Sequence, residues 1–257
     1  MVTALTDDEV TRYARQIILK EVGGAGQRRL KAATVVVVGA GGIGSPVVQY
    51  LGGAGIGRLV LVDDDVVEVS NLQRQTMFGI ADLGVSKADA AAAAVRELNP
   101  AVSVESHRIR LNEGNVGELV ADADVVIDGC DNFATRLAVG DATQAARIPL
   151  VSAAVGQFEG QLAVFRGWEA GKPCYRCLVG DAPDRPDASC ADQGILGPVT
   201  GVLGSLAALE AIRSVTPFGD DPAGRLLLID LLSWRLRTIG LPKDPGCPGC
   251  GGGQTPT

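Results

Sequence analysis

"VVVVGAGGIGSP", residues 35–46, decides how this chain is read. Four successive valines suit a strand buried on both faces of a parallel sheet, where neither side meets water and alternation is lost. They run into Gly39-x-Gly41-x-x-Gly44, the spacing at which a strand turns tightly into a helix. There the first glycine permits the turn, the second lets backbone approach a phosphate and the third lets helix and strand pack closely. Pro46 falls in the first turn of that helix, where its missing N–H breaks no bond. The stretch reads as a nucleotide-binding turn; a glycine turn that serves only close packing is the bland alternative.

Outward from this turn, Leu59 to Val62 supplies a second strand and completes a βαβ unit. Upstream, Thr6-Asp7-Asp8-Glu9 has the form of a capping box, so a first helix is expected to about Lys20, with Tyr13, Ile17 and Ile18 inward and Gly23, Gly24 and Gly26 ending it. Downstream, Lys87 to Leu98 reads as an alanine-rich helix stopped by Asn99-Pro100. Strands follow near Val102 to Ser106 and Val125 to Asp128, then a helix from Phe133 to Ala146 and a strand from Leu150 to Ala154. This alternation predicts an α/β fold with a doubly wound, mostly parallel, Rossmann-like sheet. After residue 155 the candidates Gln161 to Phe165, Arg225 to Asp230 and Trp234 to Ile239 look like antiparallel additions. Residues 178–198, rich in Pro, Asp and Gly, read as a long loop, and the tail GGGQTPT is expected to be disordered.

The chain of 257 residues carries a net charge of −7 and shows no basic patch, which argues against bulk nucleic-acid binding. Its first residues are acidic and lead into no apolar run, and no later stretch is apolar over a membrane-spanning length. A soluble cytoplasmic protein without membrane association is expected.

Asp63 follows the second strand at the distance where a carboxylate accepts hydrogen bonds from ribose hydroxyls. The stretch "DDDVVEVSNLQRQ", residues 63–75, places Asp65, Asn71 and Arg74 in the following loop, and Lys87 opens the next helix. Arg74 and Lys87 supply localised charge of the kind a triphosphate requires, although each could also be an ordinary surface cation. The only histidine, His107, falls at a strand end and reads as a bystander. Hydride transfer usually needs a positioned acid or base. Attack by an already ionised carboxylate on the α-phosphate of ATP needs none, since cations and Mg²⁺ overcome the repulsion between anions. Adenylation therefore suits this inventory better than the rival reading, a nicotinamide oxidoreductase.

Six cysteines fall as two pairs, Cys174-x-x-Cys177 and Cys247-x-x-Cys250, and two singles, Cys130 and Cys190. Two CxxC pairs can close a tetrahedral Cys₄ site for structural Zn²⁺, with independent redox pairs as the alternative. Cys130, at the end of an apolar strand, reads as a small core residue. Cys190, in the long loop, can act as a nucleophile if its thiolate is stabilised.

Taken together, "RYARQIIL" (12–19), "VVVVGAGGIG" (35–44), "SNLQRQ" (70–75), "GCDNFATR" (129–136), "CYRCL" (174–178) and "GCPGCG" (246–251) resemble the ThiF/MoeB/HesA family of E1-like adenylyltransferases over nearly the whole chain. The resemblance implies one adenylation domain over residues 1–257: an N-terminal helical segment 6–30, a nucleotide-binding core 33–155, a crossover loop 178–198 and a zinc-pinned region 199–251. It implies a homodimer that binds MgATP and adenylates the C-terminal glycine of a ubiquitin-like sulfur-carrier protein ending in Gly-Gly, before thiocarboxylate formation. Gly39, Gly41, Gly42 and Gly44 would meet the phosphates and Asp63 the ribose. Asn71, Arg74 and Lys87 would contact the phosphates, Asp131 would be the Mg²⁺-associated aspartate, and Arg15 would reach the partner subunit's site. Arg15 by itself reads as part of a solvated helix face. Cys190 matches a crossover-loop cysteine that only some members use. No rhodanese-like segment follows Cys250, so sulfur is expected from a separate donor such as a cysteine desulfurase or sulfurtransferase. Thiamine thiazole synthesis leads as the pathway, ahead of molybdopterin synthesis and of a shared activator that includes tRNA thiolation.

Overall fold

A computed structural model of the chain describes residues 4–181 and 194–251. Cys190, the interior of the long loop and all but Gly251 of the C-terminal tail expected to be disordered therefore lie outside the described residues.

The valine run forms β1, Thr34–Val38, buried from Val35 onward. Parallel partners flank it, β2 (Arg58–Val62) on one side and β4 (Val125–Asp128) on the other. With β3 (Ser103–His107), β5 (Leu150–Gly156), β6 (Glu159–Phe165), β7 (Arg225–Asp230) and β8 (Arg235–Gly240), the sheet order is β3-β2-β1-β4-β5-β6-β7-β8. The first five strands in that order are parallel and the last three are antiparallel additions, as the sequence pattern predicts.

Side chains along a strand alternate between faces, so β1 feeds two cores. Val35 and Val37 pack with α4 (Gly44–Ala54), α5 (Lys87–Leu98) and α9 (Gly197–Val215). Val36 and Val38 face α6 (Val116–Val120), α7 (Phe133–Ala146) and α8 (Tyr175–Val179). Burial of each large aliphatic side chain here, such as Leu51 or Leu59, contributes roughly 1.5–3 kcal/mol. Strand order reverses between β1 and β4, and in open α/β sheets this point, beyond the carboxyl ends of the strands, is where a crevice opens.

Two regions differ from the sequence expectation. The N-terminal segment is three helices, α1 (Asp7–Arg12), α2 (Ala14–Ile17) and α3 (Gly23–Ala32), rather than one helix to Lys20. The break falls at Tyr13, whose ring is buried and whose hydroxyl accepts from Asn99 Nδ2 at 2.8 Å. Gly23, at φ +60°, opens α3 instead of ending a helix, and Ile18 points outward at 77% exposure. The second difference is α9, a helix of 19 residues where no helix was expected. It is apolar on several sides because it packs between α4 and the sheet. Gly204 sets its approach: a Cβ there would stand 2.4 Å from the Ile43 carbonyl oxygen and from Pro46 Cγ. Among the described residues, no helix is long and apolar enough to cross a membrane.

Candidate active site

A cleft of about 800 Å³ opens at the reversal point, within the range of roughly 300–1,000 Å³ common for small-ligand sites. Its floor is the glycine turn. Gly39 takes φ +89°, a left-handed conformation that glycine adopts without a steric cost. A Cβ at Gly44 would stand 2.0 Å from the Gly39 carbonyl oxygen, so Gly44 closes the turn against itself. Gly39, Gly41 and Gly42 line the cleft, whereas Gly44 is not among its lining residues. The N-terminus of α4 follows the turn, and the free amides at a helix start attract anions. Thr200, from the first turn of α9, closes over Gly42, where a Cβ would meet its side chain at 3.0 Å.

Asp63, beyond the end of β2, is fixed by backbone donors: Ala40 N gives 2.7 Å to Oδ2 and Asp65 N gives 2.9 Å to Oδ1. Burial pushes its pKa up, against the opposing pull of those amides and of Lys87. Lys87 is itself buried, and its Nζ lies 2.8 Å from Asp65 Oδ2. Asn71 is buried, while Arg74, half-buried, donates from Nη1 to the Ser70 carbonyl at 3.0 Å. Asp63, Asp65, Asn71, Arg74 and Lys87 all line the one cleft, so a loop far apart in sequence from the glycine turn faces it in space.

The third wall comes from the loop after β4. Asn132 caps α7 by accepting from Thr135 N at 2.9 Å, and Asp131, exposed, lines the cleft beside it. Beneath this loop Arg136 pairs with the fully buried Asp128 at 3.2 Å. Cys130 lies in the same pocket, its thiol pushed well up by burial and by the Asp128 charge. It lines the cleft rather than serving only as core filler. Sequence reasoning assigned no role to Arg136, Thr200 or Gln75. The last is 2% exposed, lines the cleft and has no hydrogen-bond partner for Oε1. Arg136 and Gln75 do fall inside two of the motifs quoted above, which was the available signal.

Arg15 lies on α2, exposed and not among the cleft residues. His107 ends β3, its Nε2 3.8 Å from a Glu105 carboxylate oxygen, also outside the cleft.

The four paired cysteines meet. Their Sγ atoms all lie within 4.8 Å of one another, with separations of 3.9 Å for Cys174–Cys177, 3.5 Å for Cys174–Cys247 and 3.4 Å for Cys177–Cys250. Sulfurs about 2.3 Å from a zinc ion stand about 3.8 Å apart at tetrahedral angles, so the set fits Zn²⁺. Glycine makes the second pair tight: a Cβ at Gly251 would meet the Pro245 carbonyl oxygen at 2.4 Å. Arg176, between the first pair, ties the cluster to α7 through Asp141, with both contacts at 2.7 Å.

The chain is similar to several named proteins over nearly its whole length. The sulfur carrier protein adenylyltransferase of Thermus thermophilus is 47% identical over 252 residues, covering 96% of this chain and 92% of its own. The SAMP-activating enzyme E1 of Haloferax volcanii is 46% identical over 256 residues, covering 98% and 93%. The mouse adenylyltransferase and sulfurtransferase MOCS3 is 49% identical over 257 residues, but the match spans only 55% of that longer protein. Among solved structures, E. coli MccB with ATP superposes with a TM-score of 0.81 at 24% identity, covering 93% of this chain and 74% of that one, a likeness of fold. The ThiF family profile matches residues 13–249. The chain belongs to the ThiF family, as an adenylyltransferase.

Proposed function

We propose that this enzyme activates the C-terminal glycine carboxylate of a ubiquitin-like sulfur-carrier protein ending in Gly-Gly, forming a carrier acyl-adenylate and pyrophosphate from MgATP. The observation that carries the reading is the convergence of the glycine turn, Asp63, Arg74, Lys87 and Asp131 on one cleft. In this reading Gly39, Gly41 and Gly42, with the start of α4, receive the phosphates, and Gly44 serves by holding the turn closed. Asp63 accepts the ribose hydroxyls, aided by the two backbone amides that fix its oxygens. Asn71, Arg74 and Lys87 offset the negative charge that builds as one anion approaches another. Asp131, exposed within the cleft, is the carboxylate assigned to Mg²⁺, which when bound would supply further neutralisation of the phosphates, while Asp65 orients the Lys87 ammonium at the same wall. Because the attacking carboxylate is ionised at neutral pH, no general base is required, consistent with a cleft without histidine.

Arg15 acts in a homodimer, entering the partner subunit's cleft. Its remoteness from its own cleft and the uncovered apolar side chains beside it, Ile18 at 77% and Leu19 at 52% exposure, support this assignment. Cys190 serves a later covalent step rather than adenylation. Sulfur comes from a separate donor, a cysteine desulfurase or sulfurtransferase, to give the thiocarboxylate. Zn²⁺ held by Cys174, Cys177, Cys247 and Cys250 is structural.

For the pathway, thiamine thiazole synthesis is the first to assay. The name of the Thermus relative, which specifies only a sulfur carrier protein, favours as second reading a shared activator serving several carriers, with molybdopterin synthesis and tRNA thiolation among its routes. ATP–pyrophosphate exchange tests the reaction, run with a panel of Gly-Gly carriers. Exchange that depends on one of them supports it; background rates with all of them defeat it.

A further inference from the structure

The buried pair beneath Asp131 was given no part in the phosphate chemistry above, although Arg136 lines the cleft, and both carboxylate oxygens of Asp128 have hydrogen-bond partners. Asp128 accepts at Oδ1 from Cys130 N at 3.1 Å and from Cys130 Sγ at 2.9 Å. At Oδ2 it accepts from Ser152 Oγ at 3.0 Å and from Arg136 Nη1 at 3.2 Å. Arg136 Nη2 then donates to two backbone carbonyls, those of Cys130 and, at 3.1 Å, Ala153. One guanidinium from α7 therefore bridges β5 to the loop after β4, and its grip on that loop falls on the residue just before Asp131. The Tyr175 phenol interacts with the same guanidinium, from the start of α8, which Cys174 caps and which carries Cys177.

Stability alone is a weak reason for such a pair. Well-packed apolar side chains often replace a buried ion pair without loss. What a guanidinium adds is a planar fork of donors that can hold several acceptors at fixed separations, which a lysine ammonium cannot do. We infer that Arg136 is a positioning residue for Asp131: by fixing the Cys130 carbonyl relative to β5, it sets the backbone from which the Asp131 carboxylate enters the cleft. The inference rests on the role given to Asp131 above.

The test uses the full chain, a Gly-Gly carrier and ATP–pyrophosphate exchange, with kcat, KM for ATP and the half-saturating Mg²⁺ concentration measured for Arg136→Lys. Fold and zinc content are checked first. Misplacement of a catalytic group by about 1 Å can cost about 100-fold. The expected result is a kcat lowered about 10- to 100-fold, KM for ATP within about twofold and a higher Mg²⁺ requirement. A folded Arg136→Lys with wild-type kcat and Mg²⁺ dependence overturns the inference, as does a loss confined to KM for ATP. If that variant does not fold, Tyr175→Phe decides by the same criteria, because it removes only a hydroxyl and keeps the ring edge-on to Phe165 at 5.6 Å. Asp131→Ala is assayed in parallel. Exchange retained there removes the role of Asp131 and this inference with it, whereas exchange lost there but intact in Arg136→Lys removes this inference alone.

Discussion

Lys87 Nζ lies 2.8 Å from Asp65 Oδ2, joining a nearly enclosed ammonium, 8% exposed, to a carboxylate that is 61% exposed. A phosphate entering the cleft would therefore meet a cation already partnered, and must share it or displace Asp65. Asp65→Asn should lower the stability of the free chain by about 1 kcal/mol, the discounted value for a pair half open to water. MgATP should restore the difference, because Lys87 freed from Asp65 binds phosphate more tightly, and a ligand stabilises the folded state more the tighter it binds. Thermal melts with and without MgATP check this: the ligand-induced rise in Tm should be larger in Asp65→Asn than in the wild type.

Asp131→Ala should abolish exchange, by about 100-fold or more, while equilibrium binding of ATP weakens far less. That is the pattern of a group whose interaction matters mainly in the transition state. Cys190→Ser should leave exchange at the wild-type rate and affect only the later sulfur step. Loss of exchange in Cys190→Ser would reassign that cysteine to adenylation.

Zinc analysis of freshly purified protein should find about one ion per chain. Chelation should lower Tm and raise the proteolytic sensitivity of the segment carrying Cys247 and Cys250, because the cluster joins that segment to α8 and α7. A content far below one ion per chain would contradict the Cys₄ site.

The N-terminal segment that carries Arg15 is tethered by Glu9, which closes a capping box with Thr6 and pairs with Lys31 Nζ at 2.7 Å. Burial alone would raise the Glu9 pKa, but the Lys31 contact and the Thr6 amide outweigh it and hold the carboxyl below its ordinary value. A depressed folded-state pKa means that this contribution is full above the unfolded value of about 4.3 and is lost as pH falls through the folded one. Glu9→Gln should therefore cost about 1 kcal/mol at pH 7 by urea titration, and the gap to the wild type should close below about pH 4.

Most of the fold that positions the site was legible in the sequence because its signals are local. The valine run, the glycine spacing and the alanine-rich stretch from Lys87 to Leu98 each specify an element without outside help, and that helix occurs at the expected bounds. The chain misled where tertiary packing overrides local preference. Gly23, Gly24 and Gly26 read as helix breakers, yet α3 spans them because Gly26 must lie close to Thr216, 2.8 Å from where its Cβ would be. α9 lacks the one-sided stripe that marks a surface helix because it is covered on several sides. The convergence of candidate site residues was legible where a motif marks them, as for Asp63 and Arg74 on the cleft and for the four cysteines that meet. Arg136 was not, since an arginine within a helix ordinarily faces water and only its burial against Asp128 reveals another role.

The central claim is that the carrier's terminal carboxylate attacks the α-phosphate, and the mass of the intact carrier tests it most directly. After incubation with this enzyme and MgATP, the carrier should gain the mass of one adenylyl group at its C-terminal glycine, with pyrophosphate released in equal amount. A carrier that gains only a phosphoryl group, or stays unmodified while the enzyme retains a nicotinamide nucleotide, would contradict the account.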